Sequence, residues 1–261
     1  MPIITLTTDF GLTDIFVGVM KGVIWSICPE ARIADITHAI PPQDVRAGAL
    51  ALGRACPFFP AGTVHLAVVD PGVGTQRRPI AMRMGEGMYV GPDNGLFTML
   101  LEEAEEKGMP VEIVHLTNQK YWLPDVSHTF HGRDIFAPVA AHLANGVPLA
   151  DFGPRINDPV RLPFPRPERT PDGWRAHVAG IDSFGNLATD LPAGRLRNRE
   201  SVTVRLGHHQ IRGLVDAYGE CPPGELVALA DSSGNLELAV VNGSAAALTG
   251  ARLGDIVEVV E

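Results

Sequence analysis

The stretch VHLAVVDPGVGTQRR, residues 64–78, decides the fold class because it joins a buried strand to a rigid turn. Residues 64–69 form an almost unbroken apolar run, which predicts a strand buried in a sheet. A Pro-Gly-Val-Gly sequence then predicts a tight turn that ends at Arg77 and Arg78. Ligands of open α/β sheets bind beyond the carboxyl ends of the strands, so Asp70 is a candidate site residue. In the alternative interpretation, Asp70 caps its own turn and both arginines are solvated.

A second segment, SHTFHGRDIFAPVAAHLANG at residues 127–146, places polar residues directly before an apolar helix. The helical spacing predicts that His131 and Arg133 lie near the N-terminus of that helix. A helix N-terminus favours negative charge nearby, so His131 is placed to help hold an anion or an ionising water. The alternative is a histidine that is hydrogen-bonded only locally.

The N-terminal segment IITLTTDFGLTD, residues 3–14, predicts a strand followed at once by acidic residues. Asp9 stands just past the strand, where an acid of an α/β unit grips ribose hydroxyls or a metal. Asp14 is equally well explained as a helix N-cap. The chain contains no Gly-rich dinucleotide fingerprint, Walker loop, nucleophile elbow or HExxH sequence, which argues against NAD, ATP-phosphate, serine-esterase and zinc-peptidase chemistry.

The composition is compatible with an enzyme that acts on a small molecule. The chain has 261 residues, 45% of them hydrophobic, and a formal net charge of −9. An acidic chain gains no counterion release from a polyanion, so we expect neither nucleic acid nor an anionic membrane as a partner. The three cysteines lack CxxC spacing, and no apolar stretch is long enough to span a bilayer. These features predict a cytoplasmic protein without a Cys-rich metal site.

The sequence pattern changes near the middle of the chain. Residues 1–152 alternate apolar strands with helical patterns and predict an α/β domain, a mostly parallel sheet with helices on both faces. Residues 153–173 are crowded with Pro and Arg and are predicted to be a linker. Residues 174–261 contain short strand-like runs separated by turns, which predict a smaller β-barrel-like domain.

Six ordered motifs together resemble one family, the adenosine-forming S-adenosylmethionine (SAM) hydrolases, or SAM hydroxide adenosyltransferases, relatives of the SAM-dependent fluorinase and chlorinase. The resemblance spans nearly the whole chain. Its motifs are TTDFG at residues 7–11, ICPEARIADITHAIPPQDV at 27–45, VVDPGVGTQRR at 68–78, GPDNGLF at 91–97, TFHGRDIFAP at 129–138 and IDSFGNLATD at 181–190. The resemblance implies hydrolysis of SAM to adenosine and methionine, with SAM as substrate and no cofactor or metal.

The resemblance also implies the site residues. Asp70, Arg77 and His131 match a catalytic triad that positions and activates water for attack on ribose C5′; which of the three is the base stays open. The matching substrate-binding positions are Asp9 for the ribose hydroxyls, Asp182 for the methionine ammonium, Phe184 close after it, Asn186, Asn242 and Gly243 at the adenine edge, Ser232 and Ser233 near the carboxylate, and Phe130 packed on the ligand.

Departures from the halogenating relatives favour hydroxide over halide transfer. Where those enzymes surround the halide with hydroxyl-bearing or small residues, this chain has Asp70, Val73 and Gly132. A carboxylate at that point repels a halide. The chain also has only a short connection near residues 84–90, where the fluorinase carries a long insertion.

The sequence is compatible with three other functions. One is a SAM-dependent halogenase. Another is a metal-dependent phosphoesterase that uses Asp9, Asp14, Asp70 and His131, because acids at strand ends often build such sites. The third is a protein that binds SAM or adenosine without turnover. The family resemblance further implies a homotrimer with active sites at subunit interfaces.

Overall fold

The computed structural model describes all 261 residues, and the chain divides into two compact units, residues 1–162 and 163–261. Each unit has its own apolar cores. None of the helices combines the length and the apolar character that crossing a membrane requires.

The first unit is built on a six-stranded mixed sheet in the order β2-β1-β3-β5-β4-β6. Three of the five neighbouring strand pairs are parallel, and β4 runs antiparallel to both of its neighbours. The strands are β1 (Ile3–Thr8), β2 (Arg32–Thr37), β3 (Val64–Val68), β4 (Pro79–Met84), β5 (Gly87–Pro92) and β6 (Val111–His115). The helices are α1 (Phe16–Ile27), α2 (Val45–Ala55), α3 (Thr98–Glu106) and α4 (Ala137–Ala144).

Helices cover both faces of this sheet. In β3, Val64, Leu66 and Val68 pack into the core formed with α1 and α4, whereas Ala67 and the following Val69 pack into the core formed with α2 and α3. Successive side chains of a strand point to opposite faces, so burial on both faces requires an unbroken apolar run. This explains the apolar stretch from which the strand was predicted.

Two residues of the GPDNG sequence, at 91–95, hold the turn between β3 and β4 at its two ends. The Asn94 Nδ2 donates to the Val69 carbonyl at 2.8 Å, directly before Asp70. The Asp93 Oδ2 accepts from Arg78 Nε at 2.8 Å, directly after Arg77. The turn is therefore fixed by side chains of the loop that follows the neighbouring strand β5.

Both halves of the predicted linker pack on the unit that each adjoins. In the first unit, the Val160 amide donates to Asp93 Oδ1 at 2.8 Å and the Leu162 amide donates to Thr98 Oγ1 at 2.9 Å. In the second, residues of β7 (Glu168–Thr170) pair antiparallel with β8 (Gly173–Ile181). The sequence pattern did not reveal this short strand, because three residues are too few to show a period of two.

The second unit is a nearly closed antiparallel, barrel-like sheet in the order β11-β10-β14-β8-β9-β13-β12. The Val215 amide, beyond β11, donates to the Ala228 carbonyl of β12 at 2.9 Å and links the two ends of the sheet. The predicted α/β class with a β-barrel-like C-terminal part is confirmed. The remaining elements are β9 (Leu187–Pro192), β10 (Thr203–Leu206), β11 (His209–Arg212), β12 (Leu226–Ala230), β13 (Asn235–Val240), α5 (Ala245–Thr249) and β14 (Ile256–Val260).

The close approach at Gly74 gives a test of the packing around the turn after β3. Gly74 has φ +75°, and a Cβ built there would lie 2.3 Å from the His128 carbonyl oxygen. Gly62 has nearly the same φ, +78°, but nothing within 4 Å of its Cβ position. We expect Gly62→Ala to lower the free energy of unfolding by about 1–2 kcal/mol, the cost of a left-handed alanine.

Gly74→Ala has the same backbone cost, and its Cβ must also push the turn after β3 away from the segment that contains His128. We expect a larger loss of stability than in Gly62→Ala, together with loss of activity, measured by urea denaturation and by turnover. Equal losses of stability in the two variants would show that the contact with His128 does not constrain the turn.

Candidate active site

Asp70, Arg77 and His131 form one connected group in the first unit. Arg77 binds Asp70 through two hydrogen bonds, from Nε to Oδ1 at 3.0 Å and from Nη2 to Oδ2 at 2.5 Å. The same Nη2 lies 3.0 Å from His131 Nδ1. The side chains of Asp70 and Arg77 are only 5% and 6% exposed, so the charges are held away from bulk water. The structure thus brings the three predicted catalytic residues together.

The hydrogen bonds of this group have defined directions. A guanidinium only donates, so the Nδ1 of His131 accepts from Arg77 and the neutral ring carries its proton on Nε2. Burial lowers the pKa of His131 below its ordinary value of 6.5, and the charge of Arg77 lowers it further, against the opposing charges of Asp70 and Asp134 and a backbone hydrogen bond at Ser127. The Nη1 of Arg77 is buried and has no hydrogen-bond partner.

A buried carboxylate fixes the segment that carries His131. Asp134 is fully buried, and its Oδ2 accepts from both the amide and the hydroxyl of Ser127 at 2.8 Å. Arg133 donates to both Asp134 oxygens. Between His131 and α4, residues Gly132–Phe136 form a π-helical turn rather than the first α-helical turn that the spacing predicts. Such turns are rare and occur frequently at functional sites.

Asp70 and His131 line an open cavity of about 380 Å³. Asp9 and Phe130, both predicted from the resemblance, line the same cavity, as do Val73 and Gly132. Phe130 packs edge-on against Phe16, with ring centroids 5.2 Å apart, and Phe10 lies beside both rings. The cavity therefore combines an aromatic wall with carboxylates, an arrangement that suits a ligand with both an apolar face and hydroxyl or cationic groups.

Asp9 is anchored by a strained residue. Its Oδ2 accepts from the Gln43 amide at 2.8 Å, and Gln43 has φ +66°, the left-handed conformation that side-chain-bearing residues rarely adopt. Strain of this kind persists only where the surroundings enforce it and clusters at ligand sites. No sequence pattern singles out Gln43, although it lies within the IPPQDV part of the second family motif, residues 40–45. Asp14 lies outside the cavity lining, and no side chain caps α1, so the N-cap interpretation of Asp14 is wrong.

The second unit brings together most of the residues predicted to bind the substrate. The Asp182 carboxylate accepts from the amides of Phe184 and Asn186 at 2.9 and 2.8 Å and from the Asn186 side chain at 3.0 Å. The Gly185 carbonyl of this hairpin accepts from the Ala246 amide at 2.9 Å, just beyond Asn242 and Gly243. Phe184 is 75% exposed at the tip.

Ser232 and Ser233 lie elsewhere in the second unit. They belong to the hairpin between β12 and β13, whereas Asn242 follows the opposite end of β13. Their loop repeats the same turn, because Asp231 Oδ1 accepts from the amides of Ser233 and Asn235 at 2.8 and 2.9 Å. Within one chain, Ser232 is therefore not grouped with Asp182 and Asn242.

The structure does not assemble the metal site of the phosphoesterase alternative. No group of three or more His, Cys, Asp or Glu side chains lies close enough together to hold a metal ion.

Comparisons with known proteins agree with this geometry. Models of the N-terminal and C-terminal domains of SAM hydroxide adenosyltransferases match residues 4–153 and 176–258. A Salinispora tropica protein named (R)-S-adenosyl-L-methionine hydrolase is 48% identical over 256 residues, covering 97% of this chain and 96% of the relative. A fluorinase from an Actinoplanes species is 33% identical over 217 residues, covering 73% and 72%.

A crystal structure of an uncharacterized conserved protein from Thermotoga maritima superposes with a TM-score of 0.91 at 39% identity. The match covers 99% of this chain and 100% of the Thermotoga maritima chain. The N-terminal family model matches within the first unit and the C-terminal model within the second. Together with the relative that covers 97% of the chain, these matches establish the family. The chain belongs to the SAM hydroxide adenosyltransferase family.

Proposed function

We propose that this enzyme hydrolyses SAM to adenosine and L-methionine. The observation that carries the proposal is the buried Asp70–Arg77–His131 group, whose Asp70 and His131 line one cavity with Asp9. The family resemblance supplies the substrate, and its positively charged sulfonium suits a cavity that two carboxylates line. Water attacks ribose C5′, the C5′–O bond forms as the C5′–S bond breaks, and the bonding electron pair leaves on the methionine sulfur.

The directions of the hydrogen bonds support Asp70 as the acceptor of the proton that water releases. Arg77 has no lone pair to offer, and the Nδ1 lone pair of His131 is taken by Arg77. Each Asp70 oxygen retains a further lone pair after its bond to Arg77. Arg77 Nη1, buried and without a partner, is the donor left for an oxygen that gains negative charge. In this proposal His131 orients Arg77 and donates through Nε2.

The lining of the cavity favours hydroxide transfer over the halogenase alternative. A halide would lie beside the Asp70 carboxylate, and like charges repel strongly where water is excluded. Val73 and Gly132 line the same cavity and offer no hydroxyl group to a halide. In hydrolysis the nucleophile enters the cavity as neutral water and becomes hydroxide only there. The Asp70 carboxylate therefore does not repel it on entry.

The product analysis is the direct test of the function. We expect equal amounts of adenosine and methionine from SAM, with label from heavy-oxygen water in the adenosine 5′ hydroxyl, and no halogenated nucleoside with added chloride or fluoride. The named relative specifies the R configuration at sulfur, so we propose the R epimer of SAM as the preferred substrate. Activity should persist after chelation, because we propose no metal or cofactor.

Methylthioadenosine or S-adenosylhomocysteine as the main product would refute the proposal, since each requires cleavage of a different carbon–sulfur bond. SAM recovered intact and bound after long incubation would instead favour the protein that binds without turnover. Liquid chromatography with mass detection distinguishes these outcomes.

Variants of the triad separate chemistry from binding. Arg77→Ala and His131→Ala should lower kcat by roughly a hundredfold or more, as does loss of a transition-state donor, with little change in SAM affinity. Asp9→Ala should chiefly raise KM. Arg83→Ala, which removes an exposed ion pair with Glu112, serves as the control with normal kinetics. Normal kcat in both triad variants would contradict the assignment.

The pKa of His131 tests the hydrogen-bond directions. Burial and Arg77 both lower this pKa, so the ring should titrate below pH 6.5. The stability that the neutral ring confers should be fully present above pH 6.5 and should be lost as the pH falls through the lower pKa. In Arg77→Gln the repulsion disappears while Asp70 remains, so the pKa should rise. The measurement is a titration of the imidazole signals by NMR. A wild-type value at or above 6.5 would contradict this reasoning.

We further propose a homotrimer in which each active site draws residues from two subunits. The family resemblance supports the trimer, and large apolar side chains are exposed in both units, among them Leu12 at 77% and Phe184 at 75%. Sedimentation should give a trimer. Subunits carrying His131→Ala, mixed with subunits carrying Asp182→Ala after reversible dissociation, should regain activity. No recovery despite confirmed exchange would place each site within one chain.

A further inference from the structure

A buried polar chain begins at the residue directly before Asp9. Thr8 is fully buried at the end of β1, and its Oγ1 accepts from the Phe10 amide at 3.2 Å. The same Oγ1 lies 2.8 Å from His38 Nδ1. Because the hydroxyl already accepts from Phe10, its own proton is free to be donated to His38. The Thr8 side chain thus ties the two residues that flank Asp9 to the segment after β2.

His38 holds the Asp9 loop from both sides. Its side chain receives the Thr8 hydroxyl, and its carbonyl accepts from the Gly11 amide at 2.8 Å. Its Nε2 lies 3.0 Å from Asp35 Oδ1, an ion-pair distance whose alignment falls short of a well-formed hydrogen bond.

Asp35 is the charged end of this chain. Its Oδ2 accepts from Lys21 at 2.7 Å. Partial burial alone would raise the pKa of Asp35, but the contacts with Lys21 and His38 outweigh it and hold that pKa below its ordinary value. Asp35 therefore carries a negative charge that keeps the His38 ring oriented.

Asp9 itself has one oxygen fixed and one oxygen open. Oδ2 accepts from the Gln43 amide, and Oδ1 has no hydrogen bond from the chain. The carboxylate lines the cavity. A carboxylate with one free oxygen is suited to accept from a vicinal diol, provided that the backbone beneath it does not move.

We infer that Thr8 and His38 are positioning residues that hold Asp9 in place for the ribose diol of the ligand. The inference rests on the proposed function, which assigns the ribose hydroxyls to Asp9. Neither residue lines the cavity, so both act through the backbone on the two sides of Asp9. The consequence is that loss of the Thr8 hydroxyl reduces recognition of the diol while contacts to the rest of the nucleoside persist.

The chain offers a matched control for this idea. Thr5, on the same strand, is also fully buried, and its Oγ1 lies 2.9 Å from the Nδ1 of another buried histidine, His65. Thr5 does not line the cavity. Thr5→Val and Thr8→Val therefore each leave one buried imidazole nitrogen unpaired. Only Thr8→Val also removes the acceptor of the Phe10 amide, the contact that spans Asp9.

The experiment compares the binding of adenosine and 2′,3′-dideoxyadenosine to the full-length variants by calorimetry. In the wild type we expect adenosine to bind at least tenfold more tightly, the size of a hydrogen bond to a charged group. In Thr8→Val the Kd of adenosine should rise until this preference is largely lost, with the Kd of dideoxyadenosine nearly unchanged. Thr8→Ser should restore the preference, and Thr5→Val should retain it.

A second comparison excludes a merely structural role. In an Asp9→Ala background, Thr8→Val should cause no further loss of diol preference, because it acts through the missing carboxylate. His38→Asn, whose amide can replace Nδ1, should keep the preference, whereas His38→Leu should lose it.

Several outcomes would overturn the inference. They are unchanged diol preference in Thr8→Val, equal weakening for both nucleosides, the same loss in Thr5→Val, and a wild type that does not bind adenosine or does not prefer the diol. All these readouts need nucleoside binding alone. Failure of the wild type to hydrolyse SAM would therefore count against the proposed function without touching this result, and the two can be told apart.

Discussion

The site depends on the ion pair between Asp70 and Arg77. Both side chains are almost fully buried. A buried charge is tolerated only when its partner and geometry are fixed. Removing one partner of such a pair typically costs about 3–5 kcal/mol, because the other charge is then left without compensation. The pair also controls His131, since the guanidinium that binds Asp70 sets the tautomer of the imidazole and adds to the effect of burial in lowering its pKa.

Much of the first unit serves to hold that pair in register. Asn94 and Asp93 fix the two ends of the turn, and Gly74 permits the close approach of the segment that carries His131. Asp134 fixes the same segment from the other side. The side chains of Asp93, Asn94 and Asp134 are polar and buried or half-buried, so the loss of any one of them leaves an unpaired group as well as a less rigid site.

The same design recurs at Asp9 with different residues. There the carboxylate stands at the end of β1, a strained Gln43 binds one oxygen, and Thr8 with His38 fixes the backbone beneath it. Both carboxylates thus lie just beyond parallel strands of a rigid sheet. An in-line displacement needs such rigidity, because a small error in the position of the nucleophile relative to the carbon that it attacks lowers the rate greatly.

The sequence by itself determined most of the strands, though not the short β7, together with the fold class, the barrel-like second unit and the residues that stand at the ends of strands. The local hydrophobic period and the turn chemistry suffice for these features. The apolar run of β3 and the Pro-Gly turn after it are examples. The family resemblance added the roles of Asp70, Arg77 and His131, but neither source revealed how these side chains are oriented.

Only the tertiary structure decided which residues meet. The contacts between Asn94 and Val69, between His38 and Thr8, and between Arg77 and His131 join positions that are 25, 30 and 54 residues apart in the chain. No local pattern encodes such pairs, because they arise from the parallel order of the strands and the packing of loops at one edge of the sheet. The direction of each hydrogen bond follows from the same geometry, since an imidazole nitrogen accepts or donates according to the group that the fold places beside it.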